Sequence, residues 1–203
     1  FAWRAPLLKQ GGLFAPISRE GALVFNNLFL VTACATVLIG TLYPLALDAL
    51  TKEKISVGPP FFDATFGPLF IPLTIAMPFG PLMGWKRGDL VGAAQRLLAA
   101  AVLAAVAMAA AFAAVRGGPV LAPFGVGIAV FVMAGAVTDI VDRTMVLRLP
   151  PRASLSRAIG LPRSAWGTAF AHFGIGVTLL GIVSVTAWGS EHLAEVKQGG
   201  SID

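Results

Sequence analysis

Long apolar stretches alternate with short polar connections along this chain of 203 residues. Crossing a hydrocarbon core takes about 20 consecutive apolar residues in a helix. Five stretches meet or approach that length, roughly 21–47, 66–85, 97–115, 119–140 and 164–188. Backbone polar groups in lipid must be satisfied within the segment, and the alternation of a barrel strand is absent from the sequence. The pattern predicts an all-α integral membrane bundle of about five transmembrane helices.

The basic residues are divided unevenly between alternate connections, eleven on one side of the predicted membrane and four on the other. The larger group is Arg4, Lys9, Arg19, Lys86, Arg87, Arg96, Arg143, Arg148, Arg152, Arg157 and Arg163, and the smaller is Lys52, Lys54, Arg116 and Lys197. Cytoplasmic loops carry the excess of Lys and Arg. Residues 1–20 are therefore predicted to be a cytoplasmic connection, residues 21–188 the five-span region, and residues 189–203 the start of an external segment.

Local signals agree with this topology. Ser18, followed by Arg19, Glu20 and Gly21, has the pattern of a capped helix start. The stretch 116–119, Arg-Gly-Gly-Pro, predicts a tight turn between two antiparallel helices. Four prolines in the second span, at positions 68, 72, 78 and 81, predict a kinked helix packed against protein. Trp85 and Trp166 are placed at the inner interface and Trp188 at the outer one.

Composition excludes several classes of function. Hydrophobic residues make up 57% of the chain and charged residues 12%, which is far from the usage of a soluble domain. The net charge of +5 comes from short connections rather than from one helix face, which argues against nucleic-acid binding. The single cysteine, Cys34, leaves no disulfide framework or zinc cluster. The chain opens FAWRAPLLKQ without an initiator Met, so we expect a piece of a longer protein.

His172 is the strongest candidate for chemistry. It lies six residues after Trp166, about 9 Å into the membrane at about 1.5 Å per helical residue. Intramembrane ionisable residues are rare and are functional candidates by default. Thr168, Ala169 and Gly176 share its helix face, with Ala171 and Gly174 nearby, and small residues admit either another helix or a flat heme. Three interpretations stay open from the residues alone: close helix packing, heme ligation, and a proton or quinone relay.

Other polar residues are weaker candidates. His192, beside Glu191 and Glu195, is predicted to belong to the outer surface, and its spacing matches no metal motif. If His172 binds heme, the second axial ligand must therefore come from another chain or from the part of the protein outside this sequence. Asn26 and Asn27 are interpreted as contacts between helices. Asp139 and Asp142 are interpreted as interfacial charges paired with Arg143, and the alternative is a proton entry point. Arg96 is predicted to extend to the membrane surface, and the basic stretch 143–163 suits anionic headgroups or a partner.

Several segments together resemble one family. They are FAWRAPLLKQGG, FAPISREGALVFNNLFLVTACATVLIGTLYPL, KISVGPPFF, WKRGDL and RSAWGTAFAHFGIGVTLLGI. In this order they resemble the middle-to-late part of CcmF, the heme lyase subunit of bacterial cytochrome c maturation. The likeness covers nearly the whole chain, although 97–137 is plain apolar sequence. The tryptophan-rich WWD segment of the family is absent and would lie upstream.

This resemblance implies a role and partners. A protein of this family attaches heme to the CxxCH cysteines of apocytochrome c at the periplasmic face of the bacterial inner membrane. It works with a heme-carrying chaperone (CcmE-like) and a subunit that handles apocytochrome c (CcmH-like), and a quinone is a possible electron donor. His172 resembles the later of two histidines that hold a membrane-embedded heme b in the family. The alternative is a structural or transporter-type membrane subunit in which His172 only packs between helices.

The connection over residues 51–65 is predicted to be a periplasmic loop. At a heme lyase such a loop would face the delivered heme, and functional groups concentrate in loops on a rigid scaffold. Phe61 and Phe62 are the residues that we expect to line that face. The apocytochrome substrates and the reductant of the embedded heme are not specified by the sequence.

Overall fold

A computed structural model describes residues 12–52, 55, 57–114, 119 and 121–189. Within these residues the fold is all-helical, with no strand. The helices are α1 (Arg19–Thr51), α2 (Pro59–Ala76) continued by a 3₁₀ segment (Met77–Leu82), α3 (Leu90–Arg96), α4 (Leu98–Ala114), α5 (Ala122–Thr144), α6 (Pro151–Gly160) and α7 (Arg163–Trp188).

Four helical stretches of the described chain are long and apolar enough to cross a membrane: α1, α2 with its 3₁₀ segment, α5 and α7. The pair α3 and α4 forms a fifth candidate span, bent by 55° at Leu97. The prediction of an all-α membrane bundle of about five spans is confirmed. Helix bounds differ from the apolar stretches chiefly at α2, which begins at Pro59 rather than near Phe66.

The proline-rich second span does not kink at every proline. Pro68 and Pro72 lie inside regular α-helix, whereas Pro78 and Pro81 lie in the 3₁₀ segment that follows Ala76. Proline removes a backbone donor and disfavours continued α-helix before it. The change of helix type therefore falls where the second pair of prolines begins.

Helix α5 is the centre of the bundle and presents glycines to different neighbours. A Cβ on Gly125 would lie 2.5 Å from Val183 of α7, and one on Gly127 would lie 3.2 Å from Met108 of α4. At Gly135 a Cβ would lie 2.5 Å from Pro78 of the 3₁₀ segment. Small residues allow helices to approach closely in membranes. Three neighbouring elements thus pack on α5 at positions where a Cβ would collide with or crowd its neighbour.

The order of these contacts gives the directions of the helices. Phe112 of α4 packs edge-on against Phe124 at the start of α5, with ring centroids 6.5 Å apart. At the other end of α5, Arg96 pairs with Asp142. The two helices are antiparallel neighbours, as predicted from the turn between them. Of that turn only Pro119 lies within the described residues.

The start of α1 and the loop after the second span meet at one end of the bundle. Ser18 caps α1, since its hydroxyl accepts a hydrogen bond of 3.0 Å from the Gly21 N–H. Glu20 accepts a hydrogen bond of 2.8 Å from the backbone N–H of Lys86. The Arg19 guanidinium lies 5.0 Å from the ring centre of Trp85, a cation–π contact. The helix start that the sequence predicts at Ser18 is confirmed, and Trp85 lies at the same end.

The orientation of this bundle in the membrane stays a prediction, and cysteine labelling tests it. With Cys34 replaced by Ala, a cysteine at Leu147 is expected to resist a membrane-impermeant maleimide in cells with a permeabilised outer membrane. A cysteine at Gly58 is expected to react, because the excess of basic residues assigns the Leu147 end to the cytoplasm. Leu147 is 87% exposed, so burial does not protect it. The reverse labelling pattern would invert the topology.

Candidate functional site

His172 lies about two and a half turns into α7, where it is half-buried among apolar residues. It follows Ala165 and Ala169 on the face that α7 turns toward α5, and Gly176 continues that face. No hydrogen bond to the imidazole is present among the described residues. Within the described residues the imidazole is therefore left without a polar partner from the helix that packs against it.

The small residues around His172 serve two different surfaces. Ala169 is buried, and a Cβ on Gly176 would lie 2.9 Å from the carbonyl oxygen of Ala129 and 2.5 Å from Met133 Cγ. These two residues are used for close packing of α7 on α5. Gly174, in contrast, has no atom within 4 Å of its Cβ position, and Ala171 is exposed. The small-residue pattern on the face of His172 is explained by helix packing and does not by itself indicate a heme.

Helix α5, which packs on α7, carries a buried carboxylate. Asp139 is 3% exposed, and its Oδ1 accepts a hydrogen bond of 2.8 Å from Arg143 Nε, one turn later on α5. The pairing with Arg143 agrees with the sequence interpretation, but the burial does not. Asp139 falls on the same α5 face as Val132, Gly135 and Ala136, which are all buried. That spacing of three and four residues was the signal that could have predicted its burial.

Asp142 pairs with a different arginine from the one the sequence suggested. Its Oδ2 lies 3.2 Å from Arg96 Nη1, so the ion pair joins α5 to the end of α3. Arg96 is predicted to extend to the membrane surface, and its side chain remains 44% exposed while it makes this pair. An exposed ion pair contributes about 0–1 kcal/mol. Its main effect is to tie two neighbouring elements together at one end of the bundle.

Asn26 and Asn27 bond to each other rather than to a second helix. The Asn26 amide donates to the Asn27 carbonyl at 3.4 Å on an exposed part of α1. Sequence reasoning assigned them to contacts between helices, and no such contact is present in the described residues.

Phe61 and Phe62, which were predicted to lie in a loop, belong to the first turn of α2. A Cβ on Gly40 of α1 would lie 2.8 Å from the Phe61 ring and 3.4 Å from the Phe62 ring. The two rings also meet edge to face, with centroids 5.3 Å apart. Prolines at 59 and 60 favour an early helix start, because proline suits the first turn. Both rings therefore pack α2 on α1, and residues 59–65 are helix rather than loop.

The basic connection between α5 and α7 contains the amphipathic helix α6. Leu155 and Ile159 are 62% and 79% exposed on one side, and Arg152 and Arg157 are exposed at its edges. The Trp166 indole donates a hydrogen bond of 3.3 Å to the Ala158 carbonyl, which ties α6 to the first turn of α7. This arrangement is typical of a helix that lies along a membrane surface.

Metal-binding groups do not gather elsewhere in the described chain. Among residues 12–52, 55, 57–114, 119 and 121–189 no three His, Cys, Asp or Glu side chains come together to hold a metal ion. Cys34 is exposed on α1. His192 lies outside the described residues, so its assignment to the outer surface stays a prediction. His172 is the one histidine that the described chain offers to an iron.

Sequence comparison identifies close relatives. The chain is 61% identical over 198 residues to cytochrome c-type biogenesis protein CycK of Bradyrhizobium diazoefficiens, covering 98% of this chain and 30% of that protein. It is 60% identical over 203 residues to the protein of the same name from Rhizobium meliloti, covering 100% and 30%. Cytochrome c-type biogenesis protein CcmF of Pseudomonas aeruginosa is 38% identical over 206 residues, again covering 100% and 30%.

The chain thus spans about 30% of the length of these curated relatives. No family model matches the chain, and no solved structure matches it significantly.

Proposed function

The chain belongs to the CycK and CcmF family of cytochrome c-type biogenesis proteins, and on that premise we propose that it forms part of a heme lyase. The full-length protein would attach heme covalently to apocytochrome c at the periplasmic face of the bacterial inner membrane. The stretch described here would contribute five membrane helices and one axial ligand, His172, to a membrane-embedded heme b.

The observation that carries this proposal is the state of His172 in a chain with these relatives. An imidazole half-buried among apolar groups, without a hydrogen bond from the described residues, has lost water contacts without replacing them. Histidine is a standard axial ligand of heme iron, and coordination would satisfy one ring nitrogen. The residues present therefore fit a heme bound at this position, with a second ligand from outside the chain. A heme there would supply one-electron redox chemistry.

The rest of the site supplies a fixed position and an apolar surrounding. Ala169 and Gly176 hold α7 tightly on α5 on either side of His172, so that the imidazole is carried by a rigid helix pair. Apolar burial of a ligand, together with the groups that hydrogen-bond to it, sets the potential of the metal. The exposed side of α7, with Gly174 and Ala171, leaves room for further helices or for a ring next to the backbone.

The partners follow from the proposed reaction. Heme must arrive at the periplasmic face, which calls for a heme-carrying chaperone of the CcmE type. Apocytochrome c must be presented with reduced cysteines, which calls for a handling subunit of the CcmH type. A quinone is the proposed source of electrons for the embedded heme, and membrane lipid surrounds the bundle.

Removal of the gene from its host tests the assignment at the level of the whole protein. Covalently bound heme in membrane and periplasmic c-type cytochromes is expected to fall below detection on heme-stained denaturing gels. Apocytochrome synthesis continues, because only the attachment step is lost, and a plasmid copy of the full-length gene restores the stain. Normal holocytochrome c in the deletion strain would contradict the lyase assignment, and b-type cytochromes made without thioethers serve as the control.

A further inference from the structure

The carboxylate of Asp139 is only half satisfied. Its Oδ1 is bonded to Arg143, whereas its Oδ2 is buried and has no hydrogen-bond partner. In the described residues only one other buried side-chain atom, Ser154 Oγ, shares this condition. A buried polar group without a partner is costly, and more so for a carboxylate inside a membrane. A carboxylate kept in this position calls for a donor that approaches Oδ2.

The register of α5 against α7 identifies the nearest candidate donor. Gly125 meets Val183 and Gly176 meets Met133, so α5 and α7 run antiparallel. Each step toward the C-terminus of α5 therefore corresponds to a step toward the N-terminus of α7. His172 therefore comes level with Ala136, and Asp139 lies three residues further, about 4.5 Å along the axis. Ala136 and Asp139 are both buried and lie three residues apart on α5, so they share one side of that helix. The unbonded Oδ2 of Asp139 and the unbonded imidazole of His172 thus lie within about one helical turn of each other along the paired helices α5 and α7.

We propose that Asp139 is a positioning residue for His172, with Oδ2 accepting a hydrogen bond from one imidazole N–H while the other ring nitrogen faces the iron. This inference rests on the proposed heme ligation by His172. Histidines that bind metals almost always donate their second N–H to a carboxylate, a carbonyl or water. The Arg143 hydrogen bond holds Oδ1 and leaves Oδ2 as the free acceptor.

The contact would have two consequences for the ligand. It fixes which ring nitrogen carries the proton and orients the ring, and it makes the imidazole a stronger donor to iron. A stronger donor stabilises ferric over ferrous heme, which lowers the midpoint potential. Asp142, three residues further on the same helix, does not replace this effect, because its side chain is 35% exposed and pairs with Arg96.

The test compares Asp139→Asn with the wild type in the full-length purified protein. We expect the variant to keep its b-type heme and to show a higher midpoint potential in a spectroscopic redox titration. A tenfold change in the preference for ferric over ferrous heme corresponds to about 59 mV for one electron. Asp142→Asn, a carboxylate of the same helix that is paired elsewhere, is the matched control and is expected to keep the wild-type potential.

A second measurement covers the case in which Asp139→Asn does not accumulate. The low-spin ferric EPR spectrum of the wild type reports how strongly the axial imidazole donates to iron, and a strongly hydrogen-bonded imidazole narrows the spread of its g values. A wide spread typical of a neutral imidazole would overturn the proposal, as would equal potentials in Asp139→Asn, Asp142→Asn and wild type. Either result, combined with heme loss in His172→Ala, would overturn the role of Asp139 and leave the proposed heme ligation intact. Heme retention in His172→Ala would overturn both the role of Asp139 and the heme ligation by His172.

Discussion

His172→Ala in the full-length protein is expected to abolish the dithionite-reduced minus oxidised absorption bands of a b-type heme. Loss of groups that merely support a metal ligand costs about 10–100-fold in metal affinity. Loss of the axial ligand itself is expected to reach or exceed the upper end of that range, so heme occupancy falls more than tenfold. Membrane insertion is expected to change little, because His172 makes no hydrogen bond with the described residues and alanine suits a helix.

The matched control is Phe173→Ala, which changes the next residue of α7 and removes a larger side chain. Because Phe173 is 42% exposed, its replacement by alanine is expected to leave the heme spectrum unchanged. Heme content is measured per purified protein, so that a lower yield does not imitate heme loss. Full heme occupancy in His172→Ala would return the residue to packing between helices and favour a structural or transporter-type subunit.

Gly176→Leu is expected to be the most destabilising single substitution in the α5–α7 interface. Its Cβ alone would lie 2.9 Å from the Ala129 carbonyl oxygen, which is backbone and cannot rotate away, and 2.5 Å from Met133 Cγ. Overpacking a tight interface costs about 1–3 kcal/mol. We expect Gly176→Leu to lower the stability of the folded bundle by an amount at or above the upper end of that range. The measurements are the thermal midpoint in detergent and the amount of protein in the membrane, and both are expected to fall.

Gly174→Leu is the control for this prediction. It introduces the same side chain two residues earlier on α7, where nothing lies within 4 Å of the Cβ position. Its effect on stability is expected to be small, and leucine has a better helix propensity than glycine. Equal thermal midpoints in the two variants would show that α7 does not pack on α5 as closely as the structure has it.

Much of the fold could be predicted because its signal is periodic and local. Apolar length marked the spans, Ser18 marked a helix start, and the turn before α5 implied antiparallel neighbours. The start of α2 was missed because the helix begins at Pro59 and Pro60 in a less apolar segment that resembles a loop. The bend at Leu97 was also missed. No proline or glycine stands at this residue to signal a break, and Leu97 is 1% exposed, so the bend places it in the core.

Sequence reasoning singled out His172 but did not predict how the residues around it pack. His172 stands out because an imidazole is unusual in an apolar run. The use of Gly176 for packing and the burial of Asp139 depend on which face of α7 meets which face of α5, and a single sequence does not contain that pairing. Asp142 shows the same limit, since its partner Arg96 is 46 residues away on a different helix.

The central place of α5 has a consequence for biosynthesis. Within this stretch the ribosome makes α1 and α2 before the other helices, and these two can pair at once through Gly40, Phe61 and Phe62. Helix α4 then lacks its main packing partner, because that partner is the next span. Only when α5 arrives do α4 and the 3₁₀ segment find their glycine contacts, and α7 completes the set afterwards. Quality control at the translocon would therefore meet these earlier helices without their main contacts until α5 is made.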